Sequence, residues 1–174
     1  MDLVGKAQEA MGKVEKWFAG LPGIEGYRQK EMRREADKRL RTSLARRLGT
    51  QRRRLSGMQL ELLQAGGLEW MDDLDRAVGK VQLLIDRVNK ADYGYAPFYD
   101  LERIKEAELD RLAQFDQSLF ERLPEVETAV DGVAAAVSAK EGIGEALAGV
   151  TDVLTELNEL FGQRDEAIRE VGIG

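Results

Sequence analysis

Apolar residues recur along most of this chain at steps of three and four, the spacing that gathers them on one face of an α-helix. Residues 2–18 show it first, through Leu3, Val4, Ala7, Met11, Val14 and Phe18, with Trp17 alongside, until Gly20-Leu21-Pro22-Gly23 stops the run. Residues 27–65 predict one long helix. Its second half carries a coiled-coil-like seam of Leu44, Leu48, Gln51, Leu55, Met58, Leu62 and Ala65. Extrapolated backward, that seam falls on Arg41, Asp37 and Arg34, whereas the apolar stripe there is Met32, Ala36 and Leu40. The pattern therefore predicts a drifting contact face, or a bend near Gly49 or Gly57. Gly66-Gly67 permits a tight reversal. Residues 68–92 then return as a second helix through Met71, Leu74, Val78, Val81, Ile85 and Val88, so the two should pair as an antiparallel hairpin.

Residues 92–99, DYGYAPFY, interrupt the periodicity. Tyr93, Tyr95, Phe98 and Tyr99 crowd around Gly94 and Pro97, as an aromatic plug at one end of a bundle would, or as a partner-binding or base-stacking platform would. Residues 100–123 resume helical spacing behind Asp100, a credible N-cap, through Leu101, Ile104, Leu112, Phe115, Leu119 and Leu123. Pro124 predicts a kink or a two-piece continuation into Val126, Val130, Val133 and Val137. Lys140 to Gly144 reads as a hinge. Leu147, Val150, Leu154, Leu157, Leu160 and Phe161 then mark an amphipathic helix with Asp152, Glu156 and Glu159 opposite. The fold class is all-α: an elongated antiparallel bundle of four to six helices built on a long hairpin. Its expected parts are an amphipathic helix and linker over 1–26, a bundle core over 27–139 with the hairpin at 27–92, and a terminal helix over 140–174. That last helix docks either on its own chain or on another copy.

Composition narrows the chemistry. The chain has no cysteine and no histidine, which excludes disulfides, thiolate zinc sites, cysteine nucleophiles and the Ser-His-Asp arrangement. Gly79-Lys80 lacks the glycine spacing of a phosphate loop, and no strand precedes Gly142-Ile143-Gly144. Carboxylate pairs such as Asp72/Asp73 are what solvated helix faces carry. No enzyme activity, cofactor, metal or small-molecule substrate is expected. No signal peptide and no membrane span is predicted, which makes the cytoplasm the default location, with peripheral attachment to the inner face of a membrane as the alternative.

Charge is the one strong asymmetry. Arg28 to Arg54 holds twelve basic residues against three acidic ones, a charge of +9, while the whole chain is −6 and the remainder therefore −15. Like charge in a block repels itself unless a counter-charge is near. The candidate partner-binding residues are Arg33, Arg34, Lys38, Arg41, Arg46, Arg47, Arg52, Arg53 and Arg54. Trp17 and Phe18 are candidate membrane or docking contacts, and Tyr93, Tyr95, Phe98 and Tyr99 candidate aromatic contacts. A short amphipathic helix ahead of a basic hairpin resembles, in layout alone, helical membrane-remodelling scaffolds such as the phage-shock and ESCRT-like proteins, which implies binding to anionic lipid. Three readings follow: a helical scaffold engaging a protein partner or another copy, a peripheral module on an anionic membrane surface, and, third, nucleic-acid binding through the arginine block. The acidic remainder disfavours the third. The decisive question is which arginines the chain's own carboxylates satisfy.

Overall fold

The computed structural model describes residues 25–91 and 106–171, with side chains at Met32, 35–91 and 114–166. Four long helices account for nearly all of them: α1 (Glu25–Gln64), α2 (Met71–Lys90), α3 (Glu106–Ala139) and α4 (Ile143–Val171), with a 3₁₀ turn at Leu68–Trp70 before α2. No strand occurs among the described residues. The all-α bundle is thus the fold. The chain divides into two compact units, residues 1–37 and 38–174. In the first, residues 25–37 form the opening turns of α1. The second contains the core.

That core is a heptad repeat carried by every helix. In α1 the buried positions are Arg41, Leu44, Leu48, Gln51, Leu55, Met58 and Leu62. In α3 they are Asp116, Leu119, Leu123, Val126, Val130, Val133 and Val137, and in α4 Ile143, Leu147, Val150, Leu154, Leu157, Phe161 and Arg164, with Asn158 buried beside that seam. α2 adds Leu74, Ala77, Val81, Leu84 and Val88. Each list alternates steps of three and four, the spacing that keeps one narrow seam facing its neighbours and inserts side chains into the gaps between opposing ones. Burying a Leu or Val side chain is worth about 1.5–3 kcal/mol, so these seams supply the main driving force for the fold.

Polar contacts between helices fix their neighbours and directions. Arg47 reaches Glu127 and Arg54 reaches Asp131, so α1 and α3 lie side by side and run the same way. Gln59 bonds Asp75 across the α1–α2 reversal. Arg122 bonds Glu156, and Asp116 meets Arg164, so α3 and α4 are antiparallel. Asn158 in α4 donates to the Lys80 carbonyl at 3.2 Å, and Arg87 donates to the Asn158 carbonyl at 2.7 Å, which ties α4 to α2. The arrangement is two hairpins laid against each other, with α1 diagonal to α4.

Both hairpins turn through the same device. At the end of α1, Gly67 N–H donates to the Leu62 carbonyl and Gly66 N–H to the Leu63 carbonyl, with Gly66 at φ 81°. At the end of α3, Glu141 donates to Ala136 and Lys140 to Val137, with Lys140 at φ 59°. These are paired 6→1 and 5→2 bonds that close a helix with one left-handed residue. Glycine takes that conformation freely and lysine does not.

Several expectations need correction. The contact face of α1 does not shift onto Leu40 in its first half: Leu40 is half-buried while Arg41, on the extrapolated seam, is buried. Of the two continuations expected at Pro124, the two-piece one is excluded, because α3 runs through the proline to Ala139 as one helix. The proline is exposed, and buried Leu119, Leu123, Val126 and Val130 hold both flanks to one seam. In α2, Ala77 and Leu84 are buried where the sequence pointed to Val78 and Ile85, which are only half-buried. The expected helix at 2–18 with Trp17 and Phe18, the aromatic segment 92–99 and the Asp100 cap lie outside the described residues.

Candidate functional site

The arginine block divides by its position around α1. Arg41 points inward. Its Nη1 donates to Asp116 Oδ2 at 3.4 Å, and Asp116 also receives Arg164 Nε at 2.6 Å and Nη2 at 3.2 Å. Asp116 and Arg164 are fully buried, and Arg41 is 5% exposed. One carboxylate thus serves two guanidinium groups inside a largely apolar bundle. Arg164 also lies over the Phe161 ring, 5.3 Å from its centroid, while its Nη1 has no hydrogen-bond partner among the described residues. A buried ion cluster of this kind contributes little net stability, because desolvation offsets attraction. It holds three helices at one level.

Arg47 and Arg54 flank the inward face and are neutralised by α3. Arg47 Nε and Nη2 both bond Glu127 Oε1, at 3.1 and 2.7 Å, and its guanidinium sits 5.4 Å from the centre of the Phe120 ring. Arg54 bonds Asp131 and, at 2.9 Å, the side-chain oxygen of buried Gln51. Gln51 is therefore a satisfied polar seam residue.

Lys38, Arg46 and Arg53 are exposed and Arg52 is half-buried; none of the four meets a carboxylate among the described residues. Arg53 bonds only Thr50 Oγ1, at 3.1 Å. From Lys38 to Leu60 the chain contains no acidic residue, so this stretch of the outer face of α1 carries positive charge alone, with exposed Glu35 and Glu61 beyond its two ends. The side chains of Arg33 and Arg34 lie outside the described residues, as do the candidate contacts Trp17, Phe18, Tyr93, Tyr95, Phe98 and Tyr99.

The opposite corner of the bundle carries the opposite charge. Glu145, Asp152, Glu159 and Glu166 are exposed along α4 at intervals of seven residues, and between Ile143 and Glu166 the one basic residue is buried Arg164. Glu156, beside this stripe, is paired with Arg122, which also bonds Glu125. That hydrogen bond from Arg122 holds the Glu125 carboxyl below its usual range and the Arg122 guanidinium above its own.

Sequence reasoning missed Asp116, Arg164 and Asn158. The signal was present: stepping back three from Leu119 reaches Asp116, and stepping on three from Phe161 reaches Arg164. Among the described residues no three carboxylates converge to hold a metal ion, and no helix is long and apolar enough to cross a membrane. No family model, curated protein or solved structure matches this chain.

Proposed function

We propose that this protein is a non-enzymatic helical scaffold or adaptor that engages an acidic protein surface through the outer face of α1. One observation carries the reading. After the chain's own carboxylates have taken Arg41, Arg47 and Arg54, Arg46 and Arg53 remain exposed within a stretch, Lys38 to Leu60, that holds no acidic residue. Separated by seven residues, they stand about 10 Å apart along the helix. A second helix can meet both at once. Exposed charges of this kind govern encounter rate and orientation more than affinity, which suits an adaptor.

The test is binding of a labelled polyglutamate peptide to the full chain, followed by anisotropy at low and high salt. Binding that weakens with salt and drops several-fold in Arg46→Gln/Arg53→Gln supports the reading. Absence of binding at low salt, or undiminished binding by the variant, refutes it.

A peripheral membrane role is the second reading, favoured by Leu60, Leu63 and Leu68, which are 63%, 46% and 70% exposed around the α1–α2 reversal. Exposed leucines beside a basic face suit an anionic bilayer. Exposed Glu61 and Glu69 at the same reversal oppose it. Co-sedimentation with phosphatidylserine vesicles but not with neutral ones, lost in Leu60→Ser/Leu68→Ser, would favour the membrane over a protein partner.

A further inference from the structure

We infer that the acidic partner of α1 is the α4 face of a second copy of this chain, and that copies join head to tail. The inference rests on the function proposed above and names its partner. Arg46 and Arg53 lie seven residues apart on the outer face of α1. Glu145, Asp152, Glu159 and Glu166 lie seven apart on the outer face of α4. Equal spacing lets two basic residues meet two acidic ones simultaneously when the helices lie alongside, as flanking charges do in paired heptad helices. Gly57 on one face and Gly149 on the other have open space where a side chain would project, so two backbones can approach closely.

Each stripe is also unmixed. The arginines of α1 that point sideways are taken by α3, and the Arg122 beside α4 is taken by Glu125 and Glu156. Intramolecular pairing has removed the flanking charges and left two stretches, Lys38 to Leu60 on α1 and Glu145 to Glu166 on α4, whose exposed charges are of single, opposite sign. A random acidic ligand would complement the charge of α1 but not its spacing. The chain's own α4 complements its charge and matches its period.

The topology sets the mode of assembly. α1 and α4 each pack against both α2 and α3, so their outer faces lie on opposite corners and point apart. One copy cannot offer both faces to the same partner. The contact is therefore heterologous, and repeating it gives an open chain of copies, not a closed dimer. Exposed ion pairs contribute about 0–1 kcal/mol each and are screened by salt, so association is weak and strongly salt-dependent.

Sedimentation velocity on the full chain tests this. At low salt the mean mass should rise with concentration past that of a dimer, and at high salt it should fall to that of the monomer. Arg46→Gln/Arg53→Gln and, separately, Asp152→Asn/Glu159→Gln should each weaken self-association by about 5- to 10-fold. All four side chains are exposed, and unchanged circular dichroism would show that the variants fold. Mixed in equal amounts, the two variants should form a one-to-one pair and stop there, because each retains one working face. A wild-type chain that stays monomeric at low salt overturns the inference, as does either variant associating like wild type, or a mixture that grows beyond two. A monomeric chain that still binds polyglutamate through Arg46 and Arg53 defeats the second-copy assignment alone; loss of both defeats the parent reading too.

Discussion

Replacing Asp116 by alanine should be among the most damaging single changes in the bundle. The substitution deletes one small side chain but strands the buried Arg164 guanidinium and takes a bond from a second, Arg41. Arg164 is fully buried and loses both of its hydrogen bonds, at 2.6 and 3.2 Å. Arg41 is 5% exposed and loses a third, at 3.4 Å. Removing one partner of a buried ion pair costs about 3–5 kcal/mol, because the remaining charge is neither hydrated nor paired. Here two like charges remain together, so a loss of about 4 kcal/mol is a moderate figure. Against a typical stability of about 5–15 kcal/mol, it consumes a large part of the folding free energy. With a urea m-value of about 2 kcal/mol/M, the midpoint should fall by about 2 M at unchanged m.

The companion variant separates charge from packing. Arg41→Leu/Asp116→Leu/Arg164→Leu extends the apolar seams by one layer and leaves no ion to hydrate. Replacing a buried ion cluster by apolar side chains of similar volume is neutral or stabilising by about 1–4 kcal/mol. Urea unfolding followed at 222 nm reads both variants on one scale. If Asp116→Ala costs under about 1 kcal/mol, the three groups are not buried together as described. If the triple variant is as damaged as the single one, shape and not charge governs this layer.

Other changes should act through turns and surface pairs. A Cβ at Gly144 would lie 2.6 Å from Trp70 Cη2, so Gly144→Ala should cost about 1–2 kcal/mol in the wild type yet gain about 0.5–1 kcal/mol in a Trp70→Ala background, where helix propensity alone acts; thermal melts of the four proteins check the sign reversal. Lys140→Gly should raise stability by about 0.5–1 kcal/mol by chemical denaturation, because Lys140 holds the left-handed φ of 59° that Gly66 holds at the other turn. Glu125, whose folded carboxyl is held low by Arg122, favours folding at neutral pH and stops doing so as pH falls from its unfolded value through its lower folded value; an NMR titration should show its midpoint rise toward the ordinary carboxylate range in Arg122→Gln, with less than about 1 kcal/mol lost because the pair is exposed.

Most of the fold was readable because a seven-residue repeat leaves few alternatives. Leu44 to Leu62 in α1, and Leu119 to Val137 in α3, announce their buried face by hydropathy alone. What failed was the habit of treating charged residues as surface. Arg41, Asp116 and Arg164 occupy seam positions that the repeat itself specifies, and only a strict count through polar residues finds them. Pro124 was legible in part: the stripe that continues across it foretold a continuing chain of helix, and a proline on the exposed side of such a seam need not divide it. The candidate site was half-legible. Sequence identifies the block of arginines but not which of them other helices neutralise, because Arg47 with Glu127 and Arg54 with Asp131 are about eighty positions apart in the chain.

The buried ion layer also explains why a bundle with so regular a repeat should adopt one alignment. Apolar seams with a seven-residue period are degenerate: sliding α4 by one heptad against α3 would still oppose leucines to valines at most levels. A slip in one direction would place Asp116 near the level of Leu157, and a slip in the other would place Arg164 near that of Leu123, in either case separating the buried charges. That cost of several kcal/mol falls on the slipped state alone, since the aligned state has already paired them. Asn158 acts likewise on the other hairpin, because only one alignment brings its amide to the Lys80 carbonyl and its own carbonyl to Arg87. The polar seam residues therefore trade depth of stability for uniqueness of register. Register in turn decides which arginines of α1 find carboxylates on α3 and which are left facing outward, so the interior layer sets the charge pattern of the surface.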